Sequence, residues 1–216
     1  MNRMPLEAFL FDLDGTLVDT EVLYLEATAR ALSERGLSVP REELLNIVYG
    51  RSLGDVMISL RGRFPASPLD GLEERMTHHH WLLYRENDVV IQSSVDLLRR
   101  LAARYPVAVV SGSARADVVR YLSLLELDRC IRFHLGSEDY SPGKPDPACY
   151  FLAAERIGAR PSRCLVFEDS TVGVIAAKSA GMTCVALKRE NTPKQDLESA
   201  DLVLTDLDDF PADLWL

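Results

Sequence analysis

Two carboxylates close an apolar run near the beginning of the chain. The run 9–11 leads directly into Asp12, Leu13, Asp14 and Gly15. The apolar run predicts a buried strand. Because side chains alternate along a strand, Asp12 and Asp14 point the same way if the extended conformation persists to Asp14. Two carboxylates on the same side of a strand repel each other, which raises the free energy of the fold unless one is protonated or a cation lies between them. We therefore expect a divalent metal site or an acid–base pair, the alternative being an ordinary Asp-Gly turn.

A second pair of acids follows another apolar run. The run 164–167 ends in Glu168 and Asp169, which are followed by Ser170. Adjacent carboxylates at a strand end suit a hard cation, and Mg²⁺ prefers oxygen ligands in a near-octahedral shell. The alternative is that both acids belong to the start of a helix, where the helix dipole favours negative charge.

Two hydroxyl groups and a glycine follow the run 107–110. Ser111, Gly112 and Ser113 come directly before a predicted helix. The start of a helix presents free backbone N–H groups and the positive end of the dipole, so this segment favours an anion. The alternative is that Ser111 or Ser113 is only the N-cap of that helix.

A lysine lies between prolines further along the chain. Lys144 precedes Pro145, and a residue before proline is restricted to extended conformations. Asp146 and Pro147 are typical of a helix start. A lysine held on such a stiff support can neutralise a phosphate group during transfer. The alternative is a surface lysine in a proline-rich turn.

These four segments lie where predicted strands end. Short apolar strands alternate with helices from about residue 90 onward, which is typical of an α/β fold with a Rossmann-like parallel sheet. Strands are predicted at 107–110, 132–135, 164–167, 183–187 and 202–204, and helices at 95–103, 116–125, 147–157 and 171–180.

A helical insert interrupts this pattern after the first strand. Helical spacing is predicted at 21–35, 41–48, 55–63 and 69–84. We therefore expect a core domain of residues 1–18 and 90–216 and an all-helical cap domain of residues 19–89. Ligands of open α/β sheets bind beyond the carboxyl ends of the strands, so the cap is expected to act as a lid.

Composition limits the classes of partner. The net charge of −9 and the pI near 5.0 argue against nucleic acid, which is bound by clustered Lys and Arg. No apolar run is long enough to span a membrane and no secretory signal is recognisable. The four cysteines are scattered, as in a reduced compartment. We expect a soluble, cytoplasmic protein, and a monomer because no long apolar stripe is left over.

Taken in order, the motifs resemble those of the haloacid dehalogenase (HAD) superfamily of phosphohydrolases. They are Asp12-Leu13-Asp14-Gly15-Thr16, Ser111, Lys144 and Glu168-Asp169-Ser170. The resemblance covers nearly the whole chain. Within the superfamily, Asp19-Thr20-Glu21 and the segment after Lys144 are similar to the branch of β-phosphoglucomutase and many sugar-phosphate phosphatases.

The resemblance implies roles for these residues. Asp12 would be the nucleophile that forms an aspartyl phosphate, and Asp14 would be the general acid and base. Mg²⁺ would be held by Asp12, the backbone carbonyl of Asp14, Glu168 and Asp169. Phosphoryl oxygens would be bound by Ser111, the N–H of Gly112 and Lys144, with Ser113 beside the substrate.

Candidate substrate contacts in the cap are less well defined by the motifs. Tyr24 stands where the sugar-phosphate mutases have a histidine, and Arg51 follows a glycine between two predicted cap helices. Both are candidate substrate-binding residues. The run His78-His79-His80 is interpreted as a solvated helix face, because three consecutive histidines cannot all face one metal from a helix.

We therefore expect a Mg²⁺-dependent phosphatase of a small phosphorylated metabolite, such as a hexose phosphate or 6-phosphogluconate. A sugar phosphomutase of the β-phosphoglucomutase type is the alternative, which the tyrosine at position 24 disfavours. A non-catalytic binding module would need neither Asp12 nor Asp14. A dehalogenase would need no second acid pair.

Overall fold

The computed structural model describes residues 5–189 and 194–215. The chain divides into two compact units. The core unit is formed by the chain up to Val18 and from Ile91 onward, and the insert unit by Asp19–Val90. Within the described ranges, no helix combines the length and the apolar character needed to cross a membrane.

The core unit contains a six-stranded parallel sheet. Its strands are β1 (Ala8–Phe11), β2 (Val107–Val110), β3 (Phe133–Leu135), β4 (Cys164–Glu168), β5 (Thr183–Leu187) and β6 (Leu202–Leu204). The strand order is β3-β2-β1-β4-β5-β6, and every neighbouring pair is parallel. The predicted α/β fold class is therefore confirmed.

Helices occur in both units. In chain order they are α1 (Glu21–Ser33), α2 (Arg41–Val48), α3 (Leu53–Arg63), α4 (Leu72–Glu86), α5 (Gln92–Ala102), α6 (Arg115–Leu124), α7 (Ala148–Ile157), α8 (Thr171–Ser179) and α9 (Ala212–Trp215). The first four belong to the insert unit and the others to the core unit.

Both faces of the central strand β1 are buried, which explains its unbroken apolar sequence. Ala8 and Leu10 belong to a buried cluster that also contains side chains of α7 and α8. On the other side, the ring of Phe11 stacks on that of Phe167 of β4, with centroids 4.4 Å apart. Burying a side chain of this size stabilises the fold by about 1.5–3 kcal/mol. The apolar runs thus place β1, β2 and β4 at the centre of the sheet.

The strand β1 ends earlier than the acid pair. Extended structure stops at Phe11, and the backbone N–H groups of residues 16, 17 and 18 all donate to the carbonyl of Leu13. Gly15 has φ +78°, a left-handed conformation that disfavours side chains. The expected strand-like alternation through Asp14 is therefore wrong, because a tight turn begins directly after Asp12.

The insert unit has its own apolar core. Side chains from all four of its helices form it, among them Leu25, Leu44, Met57 and Met76. The helix α4 begins at Leu72 rather than near residue 69, because Leu72 N donates to Leu69 O in a turn that precedes the helix.

The three histidines of α4 differ from one another. His80 is buried and its ring stacks on Tyr24 of α1 at 3.9 Å between centroids. His79 Nε2 lies 2.9 Å from Glu34 Oε1, and only His78 is exposed. The interpretation of the run as a solvated face is wrong for His80, because residues 76, 80 and 83 share the face of α4 that packs against other helices.

Candidate active site

The register of the central strands brings the ends of β1, β2 and β4 to one edge of the sheet. Phe11 of β1 pairs with Val109 of β2 and with Phe167 of β4. Because the strands are parallel, the residues that follow them emerge at the same edge. Asp12 and Glu168 therefore lie level with the end of β2, as their positions in the sequence predict.

Lys144 joins the two acid segments. Its Nζ donates to Asp12 Oδ1 at 2.5 Å, to Glu168 Oε1 at 2.6 Å and to the carbonyl of Val110 at 3.2 Å. Its side chain is only 9% exposed, so the alternative of a surface lysine is wrong. Asp146 Oδ1 accepts a hydrogen bond from Ala148 N at the start of α7, which anchors the segment that carries Lys144.

Asp14 is held by two hydroxyl groups. Ser111 Oγ and Ser113 Oγ donate to the same Asp14 Oδ2, at 3.0 and 2.7 Å. Ser113 N donates to Ser111 Oγ at 2.9 Å. The alternative of a serine N-cap is wrong, because the N-cap of α6 is Ala114 and makes no side-chain capping bond. These serines instead fix the orientation of Asp14, the residue with the implied role of acid and base.

Glu168 is surrounded by hydrogen-bond donors. Its Oε1 accepts from Lys144 Nζ and from the hydroxyl of Tyr150, the latter at 2.8 Å. Its Oε2 accepts from Asp169 N, Ser170 N and Ser170 Oγ at 3.1, 3.3 and 3.0 Å. Ser170 is the N-cap of α8. The site and the start of this helix are therefore parts of one hydrogen-bonded network.

The site carries excess negative charge. Asp12, Glu168 and Asp169 are buried beside one ammonium group. Burial raises the pKa of Asp12 well above the ordinary carboxyl range, with Lys144 opposing and Glu168 reinforcing this shift. Burial alone would lower the pKa of Lys144, but the carboxylates of Asp12 and Glu168 outweigh it and raise that pKa. Lys144 is therefore cationic, and the remaining negative charge can be relieved by a proton on Asp12 or by a further cation.

The same acids fit a divalent cation. Asp12, Glu168 and Asp169 each offer a carboxylate oxygen, and these oxygens lie within 4.8 Å of one another. A Cβ at Gly15 would lie 2.0 Å from Asp169 Oδ2, so only glycine leaves room for this carboxylate. The Asp14 side chain contacts the two serines instead, and a role for its backbone carbonyl stays a prediction.

Not all predicted site residues meet in this cluster. Gly112 is exposed beside Ser111, and nothing lies within 4 Å of where its Cβ would be; binding of a ligand by its backbone N–H stays a prediction. Tyr24 and Arg51 belong to the insert unit. Arg51 is exposed, with Nη1 3.4 Å from Ser59 Oγ. Contacts of Tyr24 and Arg51 with substrate stay predictions.

Two tyrosines of the site were missed at the level of sequence. The hydroxyl of Tyr150 donates to Glu168, and that of Tyr140 donates to the carbonyl of Ser111 at 2.8 Å. Burial raises the pKa of both hydroxyl groups well above their usual range. In the sequence, Tyr150 occupies an apolar position of α7. The one feature that could have indicated a site residue is its hydroxyl group, since a buried tyrosine hydroxyl usually has a hydrogen-bond partner.

Comparisons with known proteins agree with this geometry. A family model described as hydrolase, haloacid dehalogenase-like hydrolase, matches residues 6–181. A CBBY-like protein of Arabidopsis thaliana is 35% identical over 94% of this chain and 70% of its own length. Validoxylamine A 7'-phosphate phosphatase of Streptomyces hygroscopicus subsp. limoneus is 32% identical, and the match covers 92% of each protein.

A solved structure shows the same similarity. The crystal structure of a putative beta-phosphoglucomutase from Thermotoga maritima has a TM-score of 0.75 and 26% sequence identity with this chain. The match covers 96% of this chain and 98% of the other. The likeness therefore extends over both units of the chain.

Proposed function

Because the chain belongs to the haloacid dehalogenase-like hydrolases and is a phosphoric monoester hydrolase, we propose that it hydrolyses a small phosphorylated sugar or sugar acid with Mg²⁺ as cofactor. The observation that carries this proposal is the buried contact of Lys144 with Asp12. A binding module would gain nothing from burying a carboxylate whose charge must be balanced by a lysine and a further cation.

The geometry supports Asp12 as the nucleophile. Lys144 holds Asp12 Oδ1, which leaves Oδ2 to attack phosphorus. The new bond joins this oxygen to phosphorus while the ester bond to the sugar oxygen breaks, giving an aspartyl phosphate. Lys144 would also balance charge on the phosphoryl oxygens, in a site where water competes little.

Asp14 is placed to move the protons. In the first step its protonated carboxyl donates to the leaving sugar oxygen, which departs as an alcohol. In the second step the resulting carboxylate takes a proton from water, whose oxygen bonds to phosphorus and releases Asp12 and phosphate. Ser111 and Ser113 both donate to Asp14 Oδ2 and thereby fix the orientation of the carboxyl group that makes these transfers. General acid–base catalysis of this kind contributes about 10²–10⁴ in rate.

The acids of the site would hold the cation. Asp12 and Asp169 are the side chains with this role, with the backbone carbonyl of Asp14 as a further predicted ligand and Glu168 beside them. When bound, Mg²⁺ would screen the attacking carboxylate from the negative charge of the phosphate group.

Support for the substrate class comes from the relatives. One is a phosphatase of validoxylamine A 7'-phosphate and another is a fructose-1-phosphate phosphatase. The insert unit would act as a lid that carries Tyr24 and Arg51 toward the substrate. This role is supported by the point at which the chain leaves the core unit, directly after the turn that follows Asp12.

Phosphate release from a substrate panel tests the proposal. The panel comprises hexose phosphates, 6-phosphogluconate, nucleotides and an aryl phosphate, each with and without Mg²⁺. We expect Mg²⁺-dependent release from sugar phosphates, which Asp12→Asn lowers by more than about 10³-fold. The matched control is Asp128→Asn, which changes an exposed aspartate of the core unit.

Two results would overturn parts of the proposal. Near-normal release by Asp12→Asn would exclude the covalent route. Isomerisation that needs a bisphosphate activator and releases no phosphate would identify a mutase instead, the activity named for the Thermotoga maritima structure.

A further inference from the structure

The backbone carbonyl of Ser111 is bound by a tyrosine that lies 29 residues further along the chain. The hydroxyl of Tyr140 donates to Ser111 O at 2.8 Å. The ring of Tyr140 packs against the buried cluster that contains side chains of β1, α7 and α8. Burial raises the pKa of the hydroxyl well above its usual range, so the group keeps the proton that it donates.

The rest of Ser111 is held by other hydrogen bonds. Ser111 N donates to Leu135 O at 3.0 Å. Its Oγ donates to Asp14 Oδ2 at 3.0 Å and accepts from Ser113 N at 2.9 Å. These bonds leave free the rotation of the peptide group that joins Ser111 to Gly112. Because glycine has no Cβ to restrict this rotation, the contact of Tyr140 with the carbonyl is what limits it.

The two ends of this peptide group are coupled. A trans peptide group is planar, and its C=O and N–H point in opposite directions. The bond between Ser111 and Gly112 is trans. The hydrogen bond from Tyr140 to the carbonyl therefore also sets the direction of the Gly112 N–H, which points away from the tyrosine hydroxyl. Gly112 is exposed, and its N–H donates to no acceptor within residues 5–189 and 194–215.

We propose that Tyr140 is a positioning residue, whose hydroxyl holds the peptide group after Ser111 so that the Gly112 N–H is directed at the phosphoryl group of the substrate. This inference rests on the proposed function, since it requires that the N–H binds a phosphoryl oxygen. A donor that is fixed before the substrate binds stabilises the charge that develops in the transition state without reorganisation of the site.

Removal of the hydroxyl should affect the chemical step more than substrate binding. In Tyr140→Phe the ring remains and the peptide group rotates more freely, so the N–H is present but poorly directed. Loss of a whole donor of this kind costs about 10²–10³ in kcat, and we expect a misdirected donor to cost about tenfold. Because every substrate carries the phosphoryl group, kcat should fall by the same factor for a sugar phosphate and for an aryl phosphate, at nearly constant KM.

Calorimetric titration with sodium orthovanadate in the presence of MgCl₂ tests the inference without requiring a known substrate. Vanadate accepts a fifth oxygen ligand and so resembles the phosphoryl group in its transition state. We expect full-length Tyr140→Phe to bind vanadate about tenfold more weakly than the wild type, in parallel with the fall in kcat.

Tyr105→Phe is the matched control. It removes the hydroxyl of another partly buried tyrosine of the core unit, which precedes β2 and therefore lies at the opposite edge of the sheet. This variant should change neither kcat nor vanadate binding. If Tyr140 only stabilises the fold, Tyr140→Phe will lower the melting temperature and leave kcat and vanadate affinity of the folded protein unchanged, a result that would overturn the inference.

Gly112→Pro identifies the group through which Tyr140 acts. Proline has no backbone N–H, so Tyr140→Phe should not weaken vanadate binding further in the Gly112→Pro background. Effects that multiply in the double variant would show that the hydroxyl acts by another route, and would contradict the inference. If Gly112→Pro does not fold, the comparison of Tyr140→Phe with Tyr105→Phe decides the question.

Failure of the inference and failure of the proposed function give different results. A wild type that binds vanadate and releases phosphate, together with a Tyr140→Phe variant that does both equally well, overturns the inference and leaves the phosphatase proposal intact. A wild type that neither binds vanadate nor releases phosphate in the panel overturns both.

Discussion

The core unit and the insert unit each contain a compact cluster of charged side chains. In the core unit, Lys144 joins Asp12 and Glu168, and the three side chains are at most 9% exposed. In the insert unit, Arg75 makes two hydrogen bonds to Glu34, at 2.8 and 2.6 Å, with side chains 43% and 38% exposed. The distances are similar, so the difference between the clusters lies in their solvent exposure.

Exposure changes what the same contact does to a carboxyl group. The hydrogen bonds of Arg75 lower the pKa of Glu34 to about 2, whereas burial raises the pKa of Asp12 in spite of Lys144. In water an ion pair contributes little to stability, and in the interior it only offsets the cost of removing charges from water. A buried cluster of charged groups with shifted pKa values is therefore typical of a catalytic or binding site.

Removal of the central cation should have the largest effect. Lys144→Met leaves Asp12 and Glu168 buried without their cationic partner. Removing one partner of a buried ion pair lowers the free energy of unfolding by about 3–5 kcal/mol. Phosphate release should fall by about 10²–10³-fold, since a charge directed at the phosphoryl group is lost. Thermal unfolding and phosphate assays check both expectations.

Arg75→Met is the matched control in the insert unit. It removes a cation at similar distances from its acid, but at an exposed position. Its effect on unfolding should be much smaller, and phosphate release should be nearly unchanged. An equal loss of stability in the two variants would contradict the difference between the clusters.

Substitution of one glycine in each unit should change stability by an intermediate amount. A Cβ at Gly173 would lie 1.9 Å from the carboxyl carbon of Glu168, whereas nothing lies within 4 Å of a Cβ at Gly62 in α3. Gly173→Ala must displace Glu168, and we expect a loss of about 1–3 kcal/mol together with lower activity. Gly62→Ala should stabilise by about 0.5–1 kcal/mol, because alanine suits a helix better. A melting curve for each variant distinguishes these signs, and a stabilising Gly173→Ala would contradict the packing described.

Substitution of the exposed acid Glu34 should have the smallest effect on stability, and this effect should depend on pH. Because the pKa of Glu34 is lowered from 4.5 to about 2, its contribution to stability is present above pH 4.5 and is lost as the pH falls toward 2. Glu34→Gln should therefore melt slightly below the wild type at pH 7, and the gap should narrow between pH 4.5 and 3. A gap that widens at low pH would show that Glu34 does not act through its charge.

Some features were predicted closely from the sequence, because they depend on neighbours in the chain. The predicted bounds of β2, β5 and β6 agree residue for residue with the structure. Lys144 and the two acid pairs were predicted to lie at one edge of the sheet because they follow predicted strands, and Lys144 does contact Asp12 and Glu168. Local errors arose where a turn replaced a regular element, as after Asp12 and before Leu72.

Other features depend on contacts between distant residues. The burial of His80 results from the packing of α4, and no pattern within its own three-histidine run distinguishes it from His78. The contact of Tyr150 with Glu168 depends on a single hydroxyl group, and the hydrophobic pattern of α7 accepts tyrosine and phenylalanine equally.

The amino-acid sequence by itself determined the order of strands and helices and the placing of acids, hydroxyl groups and lysine at strand ends, because periodicity and turn residues act over short distances. Only the tertiary structure decided which of these groups meet. Lys144 and Asp12 are 132 residues apart, and their contact exists because the parallel strands that precede them, β3 and β1, end at the same edge of one sheet. Strand order is a long-range property, since it is selected by the packing of the whole core unit rather than by any one segment.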